Sequence, residues 1–290
     1  VKGTQSPEAK LVEVPNVWTN YKEQGKDLPG HGYVTYRLRV LLQDDANKLG
    51  LKIPDISTSC KIIVDGATIA TCGQVADNKP QSVARYAPQV VYFRPAHPEL
   101  EIIVQVSNYL YDRGGMWYAL DLGTENQVTQ LRENLLSVSL MLLGVFFFMG
   151  LYHLVIFMLR PKEIITLYFA IGCFIGVLRL LVVDEIYILN LFPDTSVELI
   201  TGIIYFTYYG GVSVLTLYLR ELYPQEISKV STRIVLGVSG VFILTTIIFP
   251  LSIYTYLIRY YHFFFMALGM YLIYAVSLAL WRKRDGSGLQ

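Results

Sequence analysis

Long apolar segments fill the C-terminal half of the chain, and they constrain its fold more than any other feature. Each of five segments holds roughly 20 residues, the length that an α-helix needs to cross about 30 Å of hydrocarbon. Because lipid offers no hydrogen bonds to the backbone, each segment is expected to form a helix. The predicted membrane-spanning helices cover about 135–159, 164–183, 198–219, 233–250 and 254–281.

The first 132 residues have a different composition, with most of the charge and most of the turn-forming Gly, Pro, Asn and Asp. Hydrophobic residues make up 53% and charged residues 16% of the 290 residues, which is too apolar for one soluble domain. The chain is therefore predicted to be a multidomain membrane protein. Its expected parts are a soluble domain over 1–123, a linker over 124–133 that is compatible with a helix, a transmembrane region over 134–284 and a tail over 285–290.

Lysine and arginine are distributed unevenly around the apolar segments. The loops over 184–197 and 251–256 contain neither, whereas the remaining loops and the tail carry eight. Short cytoplasmic loops are enriched in these residues, so the basic side, with the C-terminus, is predicted to face the cytoplasm and the N-terminal domain to lie outside. The eight residues are Arg160, Lys162, Arg220, Lys229, Arg233, Arg282, Lys283 and Arg284.

The N-terminal domain shows the alternating pattern of short strands. Tyr33–Val40 and Glu101–Ser107 place apolar residues at every second position, and Asp65-Gly66 marks a tight turn between two further strands. About eight strands without a convincing helix predict an all-β jelly-roll sandwich. The other expected strands are Leu11–Val14, Lys48–Ile53, Cys60–Val64, Ala67–Cys72, Gln89–Phe93 and Met116–Leu122.

Several short motifs occur in this domain in a recognisable order. They are residues 14–18 (VPNVW), 32–38 (GYVTYRL), 63–66 (IVDG), 106–108 (VSN) and 114–115 (GG). The domain resembles the galactose-binding-like sandwich attached to family 2 glycoside hydrolases. With the helices that follow, the chain is similar to bacterial seven-transmembrane receptors with diverse intracellular signalling modules. That resemblance implies a location in the bacterial inner membrane, two more helices and a cytoplasmic histidine kinase or diguanylate cyclase, so the chain is interpreted as truncated after its fifth helix.

Candidate ligand-binding residues cluster near the end of the domain. Aromatic rings can stack on the apolar face of a sugar, and planar polar side chains can bind its hydroxyls. The alternative is structural: the tryptophans would close the ends of the sandwich, Asn108 would cap a turn, and the polar loop over 108–115 would face the membrane. Sequence does not separate these roles. The candidates are Trp18, Tyr86, Asn108, Asp112, Arg113 and Trp117.

Cys60 and Cys72 flank the predicted hairpin, and an extracytoplasmic location permits a disulfide between them. A two-residue turn at Asp65-Gly66 would place Cys60 opposite Thr71, with Cys72 on the other face. A three-residue loop would place the two cysteines directly opposite each other. Whether they pair therefore depends on the turn, and both alternatives stay open.

Ionisable residues near the predicted outer ends of the helices are candidates for transmembrane coupling. Charges within a membrane are costly and rare, so those that occur there usually have a function. They could meet in one ionic cluster beneath the outer domain. The alternative is that the long side chains extend to lipid phosphates. The residues concerned are Arg179, Asp184, Glu185, Glu198, Arg259 and His262.

The sequence favours a receptor over other classes. No pair of carboxylates, phosphate-binding glycine loop or metal-spaced His/Cys set indicates an enzyme, and no cofactor is expected. A net charge of +1 gives no reason to expect nucleic acid binding. The predicted function is the sensing and transmembrane part of a signal-transduction receptor, with the lipid bilayer and a carbohydrate as partners and a homodimer left open. The alternative is a transporter-associated or structural membrane protein whose sandwich binds a protein.

Overall fold

The computed structural model describes residues 9–23, 25–42 and 48–282. The chain divides into two compact units, residues 1–130 and 131–290, here called the β unit and the helical unit. The tail predicted over 285–290, together with Lys283 and Arg284, lies outside the described residues.

Short strands separated by turns make up the β unit, as the alternating pattern predicts. They are β1 (Asn16–Val17), β2 (Lys22–Glu23), β3 (Lys26–Asp27), β4 (Gly32–Leu41), β5 (Leu49–Ile53), β6 (Ser59–Val64), β7 (Ala67–Cys72), β8 (Gln89–Phe93), β9 (Glu99–Asn108), β10 (Gly115–Met116) and β11 (Asp121–Thr124). Four form an antiparallel sheet in the order β4-β9-β6-β7, and three form a second sheet in the order β11-β5-β8. Two ribbons, β1 with β10 and β2 with β3, complete the unit.

The hydrophobic core lies between the two sheets. Leu51 and Ile53 of β5 are fully buried and belong to one cluster with Ile62 of β6 and Val106 of β9, which are also fully buried. Each such side chain contributes roughly 1.5–3 kcal/mol when it is taken out of water. The structure is therefore a β-sandwich, as predicted.

The β6–β7 hairpin carries a disulfide between Cys60 and Cys72. Its turn has two residues, since Val64 pairs with Ala67, yet Cys60 pairs with Cys72 rather than with Thr71. The reason is a register shift between Ile62 and Ile63, which inserts one extra residue into β7. A two-residue turn combined with a bulge is an arrangement that neither sequence alternative contains.

Two predicted strands differ from the structure. Leu11–Val14 forms no strand, and Leu11 is fully exposed, so its apolar residues have no sheet to face. The strand predicted over Met116–Leu122 is two strands with different partners. Because β10 pairs with β1 and β11 pairs with β5, the chain has to leave the first ribbon before it can join the three-stranded sheet.

The helices follow β11 directly. They are α1 (Glu125–Leu159), α2 (Ile164–Val182), α3 (Ile188–Leu191), α4 (Val197–Leu222), α5 (Lys229–Ile248) and α6 (Leu251–Trp281). All except α3 are long and apolar enough to cross a membrane, which makes five among the described residues. Ser196 and Ser228 cap α4 and α5 by accepting hydrogen bonds from Leu199 N–H and Ser231 N–H. In the bundle, α4 packs against both α2 and α5.

Candidate functional site

Asn108, at the end of β9, organises the loop that follows it. Its side chain is fully buried and donates hydrogen bonds to the carbonyls of Gly30 (2.8 Å) and Tyr111 (2.9 Å). Its amide oxygen accepts one from Tyr111 N–H at 2.9 Å. Both ends of the amide are thus engaged within the protein, and Asn108 shapes the loop from below.

Trp18 forms the floor of the same loop. It is 4% exposed, and its indole Nε1 donates to the carbonyl of Pro29 at 2.8 Å. The backbone of Gly114 passes directly over the ring: Trp18 N–H donates to Gly114 O at 2.9 Å, and a Cβ on Gly114 would lie 2.2 Å from the indole. Glycine is therefore required at this position by close approach, and Trp18 is a core residue.

Charged and aromatic side chains of the same loop contact one another. The Arg113 guanidinium lies 5.5 Å from the centre of the Trp117 ring, and Tyr111 meets that ring edge to face at 5.2 Å. Arg113 Nε lies 3.5 Å from a carboxylate oxygen of Asp112, whose side chain is 7% exposed, whereas the Arg113 side chain is 44% exposed. The structure thus brings three predicted candidates, Asp112, Arg113 and Trp117, together.

Trp117 also presents a buried donor. Its Nε1 has no hydrogen-bond partner within the part of the chain that the structure describes. A buried N–H without a partner costs about 1–3 kcal/mol. An acceptor supplied from outside the protein, such as a ligand hydroxyl, would offset that cost. Tyr86, the remaining predicted candidate, is 6% exposed.

The junction between β11 and α1 was not among the sequence candidates. Thr124 Oγ1 accepts from Gln127 N–H at 3.3 Å, and Gln127 Oε1 accepts from Thr124 N–H at 2.9 Å, which is a capping box. The pattern Thr-x-x-Gln was therefore a signal that α1 begins at Glu125, within the predicted linker.

The first turns of α1 pack on the three-stranded sheet within the β unit. Val128 is 2% exposed and lies over Gly50 of β5, where a Cβ would come within 2.9 Å of the Val128 Cβ. Thr129 Oγ1 and the Tyr92 hydroxyl are 2.6 Å apart, and Glu125 forms an ion pair with Lys48. These contacts fix the start of α1 to the sheet that β11 belongs to.

In the helical unit, the turn between α2 and α3 contacts α1. Glu185 Oε2 lies 3.8 Å from Arg132 Nε, and the Tyr187 hydroxyl lies 3.5 Å from the carbonyl of Leu136. Burial is the largest cause that raises the pKa of the Tyr187 phenol. Asp184 (φ 60°) and Ile186 (φ 44°) adopt left-handed backbone, which costs such residues about 1–3 kcal/mol. Contacts with α1 help to hold this turn in a strained form.

The other predicted coupling residues have varied surroundings. Arg179 donates to Ile204 O at 3.3 Å and to Thr207 Oγ1 at 3.5 Å, both on α4. Arg259 stacks on Tyr256 at 3.8 Å. The ring of His262 lies 5.8 Å from that of Tyr208, and Asp184 and Glu198 are exposed. A single ionic cluster of all six stays a prediction. Sequence reasoning missed Arg132 as the partner of Glu185, because it lies in the polar stretch assigned to the linker.

The Arg132–Glu185 contact leads to a first prediction. Changing Glu185 to Gln and Arg132 to Gln, singly and together, should reveal a coupling of about 1 kcal/mol, since Arg132 is 43% exposed and solvent weakens the attraction. Thermal unfolding of the full chain in detergent would measure it. The matched control is the Arg160–Glu163 pair, which is more exposed and should show a smaller coupling. Strictly additive single changes at Arg132 and Glu185 would contradict the prediction.

A β-sandwich followed by five helices long and apolar enough to cross a membrane defines a multi-span membrane protein with an N-terminal β domain. The family model described as 7TM diverse intracellular signalling matches residues 135–289, just over half of the chain. The chain belongs to this family. The predicted fold class and the predicted resemblance to these receptors are confirmed.

Other comparisons give less information. A search of curated proteins returns no match. Among solved structures, a GH2 β-galacturonidase from Eisenbergiella tayi bound to galacturonate has 19% identity and a TM-score of 0.31, covering 42% of this chain and 22% of its own. A β-glucuronidase from Faecalibacterium prausnitzii has 17% identity and a TM-score of 0.29, covering 37% of this chain and 17% of its own. The chain spans about a fifth of these enzymes, and such scores carry no functional argument.

Proposed function

We propose that the chain is the sensing and transmembrane part of a bacterial signal-transduction receptor, and that its β unit binds a small extracytoplasmic ligand, a carbohydrate. Membership of the signalling family supports the general role. The observation that carries the proposed ligand site is the group formed by Asp112, Arg113 and Trp117 on the loop after β9.

The chemistry of this group suits a polyhydroxylated ligand. The half-exposed Arg113 guanidinium supplies several donors in a fixed fork, and the Asp112 carboxylate supplies acceptors. The Trp117 indole contributes an aromatic surface and the buried N–H that has no partner among the described residues. Trp18, Gly114 and Asn108 hold the loop in place from beneath, so the site is preorganised on rigid elements.

The β11–α1 junction is the proposed route of transmission. No loop separates β11 from α1, and Val128 anchors the helix on Gly50, so a displacement of this sheet moves the start of α1. The Glu185 and Tyr187 contacts then lie on the same helix further along the chain. A ligand shifts such a system only if it binds the two states with different affinity. The cytoplasmic output domain, a kinase or a cyclase, belongs to the proposal.

Orientation in the bacterial inner membrane is proposed from the Lys and Arg distribution, with the β unit extracytoplasmic and the end of α6 cytoplasmic. The disulfide between Cys60 and Cys72 supports this assignment, because disulfides persist in oxidising compartments and are rare in the cytosol.

Ligand binding can be tested on the full chain in detergent. A glycan array followed by calorimetry with the best ligand should show saturable binding, and Arg113→Ala should weaken it about tenfold, the effect of losing one charge-assisted contact of about 1.4 kcal/mol. Arg39→Ala is the matched control, because Arg39 is also an exposed arginine of the β unit but pairs with Glu99 away from the loop. If the array finds no glycan, or if both variants bind the glycan equally well, the proposed carbohydrate site is wrong. A protein partner would then be the favoured ligand of the β unit.

A further inference from the structure

Helix α5 presents a long exposed stripe. Four of its exposed aliphatic side chains are spaced four, seven and three residues apart, which are one or two helical turns and place them along one side of the helix. On a membrane-spanning helix, an exposed apolar stripe is a surface that acyl chains can cover. Its members are Val230 (64% exposed), Ile234 (54%), Val241 (59%) and Leu244 (54%).

Two cations lie at the first turns of this stripe. Lys229 and Arg233 are both exposed and are four residues apart, so their side chains are neighbours on the helix surface. Within the part of the chain that the structure describes, neither has an ion pair, a hydrogen bond or a ring contact. Like charges at this spacing repel each other by a few tenths of a kcal/mol, and an anion bound between them would remove that repulsion.

The other described cations at this end of the bundle are isolated or paired: Lys162 and Arg220 have no carboxylate partner among the described residues, but neither has a second cation four residues away. Arg160 pairs with Glu163, and Arg282 lies 3.8 Å from Glu226, so both of these cations already have a carboxylate. Arg220 and Glu221, in the last turn of α4, carry opposite charges and add nothing net. Ser228 Oγ accepts a hydrogen bond from Ser231 N–H at 3.0 Å, so one N–H group of this helix terminus already has a partner.

Arg233 lies one turn into α5, about 6 Å along the helix from Lys229 at 1.5 Å per residue. Exposed Val230 and Ile234 flank it, an arrangement in which the stem of an arginine can lie along acyl chains while its guanidinium extends to the headgroups. We propose that Lys229 and Arg233 bind the phosphate of an anionic phospholipid, whose acyl chains lie along the aliphatic stripe of α5. Charge complementarity and the adjoining apolar stripe favour a lipid over a soluble anion.

Native mass spectrometry of the detergent-solubilised full chain, supplied with equal phosphatidylglycerol and phosphatidylcholine, tests the proposal. Two cations should give about a tenfold enrichment of phosphatidylglycerol. Lys229→Gln with Arg233→Gln should reduce that ratio about tenfold, to near equal binding, whereas the charge-conserving exchange Lys229→Arg with Arg233→Lys should retain it. Lys22→Gln with Lys26→Gln, which removes two exposed cations from the β unit, is the matched control and should have no effect.

Three outcomes would overturn the proposal. The wild-type chain could bind both lipids equally, the double glutamine variant could keep the full enrichment, or inorganic phosphate could displace the phosphatidylglycerol. If the glutamine variant does not fold, the same lipid ratio is measured with Arg233→Gln alone, which should retain an intermediate enrichment. None of these results depends on the proposed carbohydrate ligand, so the two proposals fail separately.

Discussion

Gly114→Ala is expected to destabilise the β unit by about 3 kcal/mol, at the upper end of what overpacking a core costs. The new Cβ would lie 2.2 Å from the Trp18 indole, which is buried and held by its hydrogen bond to Pro29 O and so has little room to move. For a domain of this size, such a loss should lower the melting temperature by about 10 °C. Near-ultraviolet circular dichroism of the full chain in detergent would follow the transition.

Two further variants show whether the Trp18 contact is the cause. Trp18→Phe removes the ring atoms closest to Gly114, so it should restore part of the stability lost by Gly114→Ala, although alone it is destabilising. Gly123→Ala is the control, because the atom nearest to its new Cβ is Gln127 Oε1 at 3.1 Å, a much looser approach than the 2.2 Å at Gly114, so its cost should be smaller. If Gly114→Ala and Trp18→Phe have additive costs, the close approach of the backbone to the indole is not what requires glycine.

Much of the membrane half was predictable because a bilayer imposes a simple rule of length and hydropathy. The start of α1 is the exception. Eight of its first ten residues are polar, too few apolar ones for a membrane-span signal. The structure forms helix there because Thr124 and Gln127 cap it and Val128 packs on Gly50. The capping pattern was present in the sequence, but the packing depends on a strand more than 70 residues earlier.

For the candidate ligand-binding residues, the sequence predicted the strands but not which side chains are buried. The alternating pattern predicted the boundaries of β4 and β9 to within two residues. It could not show that Asn108 and Trp18 are buried while Arg113 is partly exposed. The decisive contacts join distant segments, such as Asn108 with Gly30. The bulge in β7 is also invisible to a period-two pattern, although it alone puts Cys72 opposite Cys60.

Val128→Asp is expected to have the largest effect on the junction between the sheet and α1. Val128 is 2% exposed and packs over Gly50, so a carboxylate there is taken out of water, which costs several kcal/mol. The first turns of α1 should detach from the three-stranded sheet while the membrane-spanning helices keep their structure. Limited trypsin digestion of the full chain in detergent would report this as faster cleavage after Arg132.

Asn126→Asp is the matched control for that experiment. It adds the same charge two residues earlier on the same helix, at an exposed position where an acidic residue near the N-terminus favours a helix. Its cleavage rate should equal that of the wild type. Equal rates for Val128→Asp as well would mean that the packing on Gly50 does not hold α1 to the sheet. Since β11 leads into α1 without a loop, the proposed transmission would then have to rely on the covalent chain and the capping box alone.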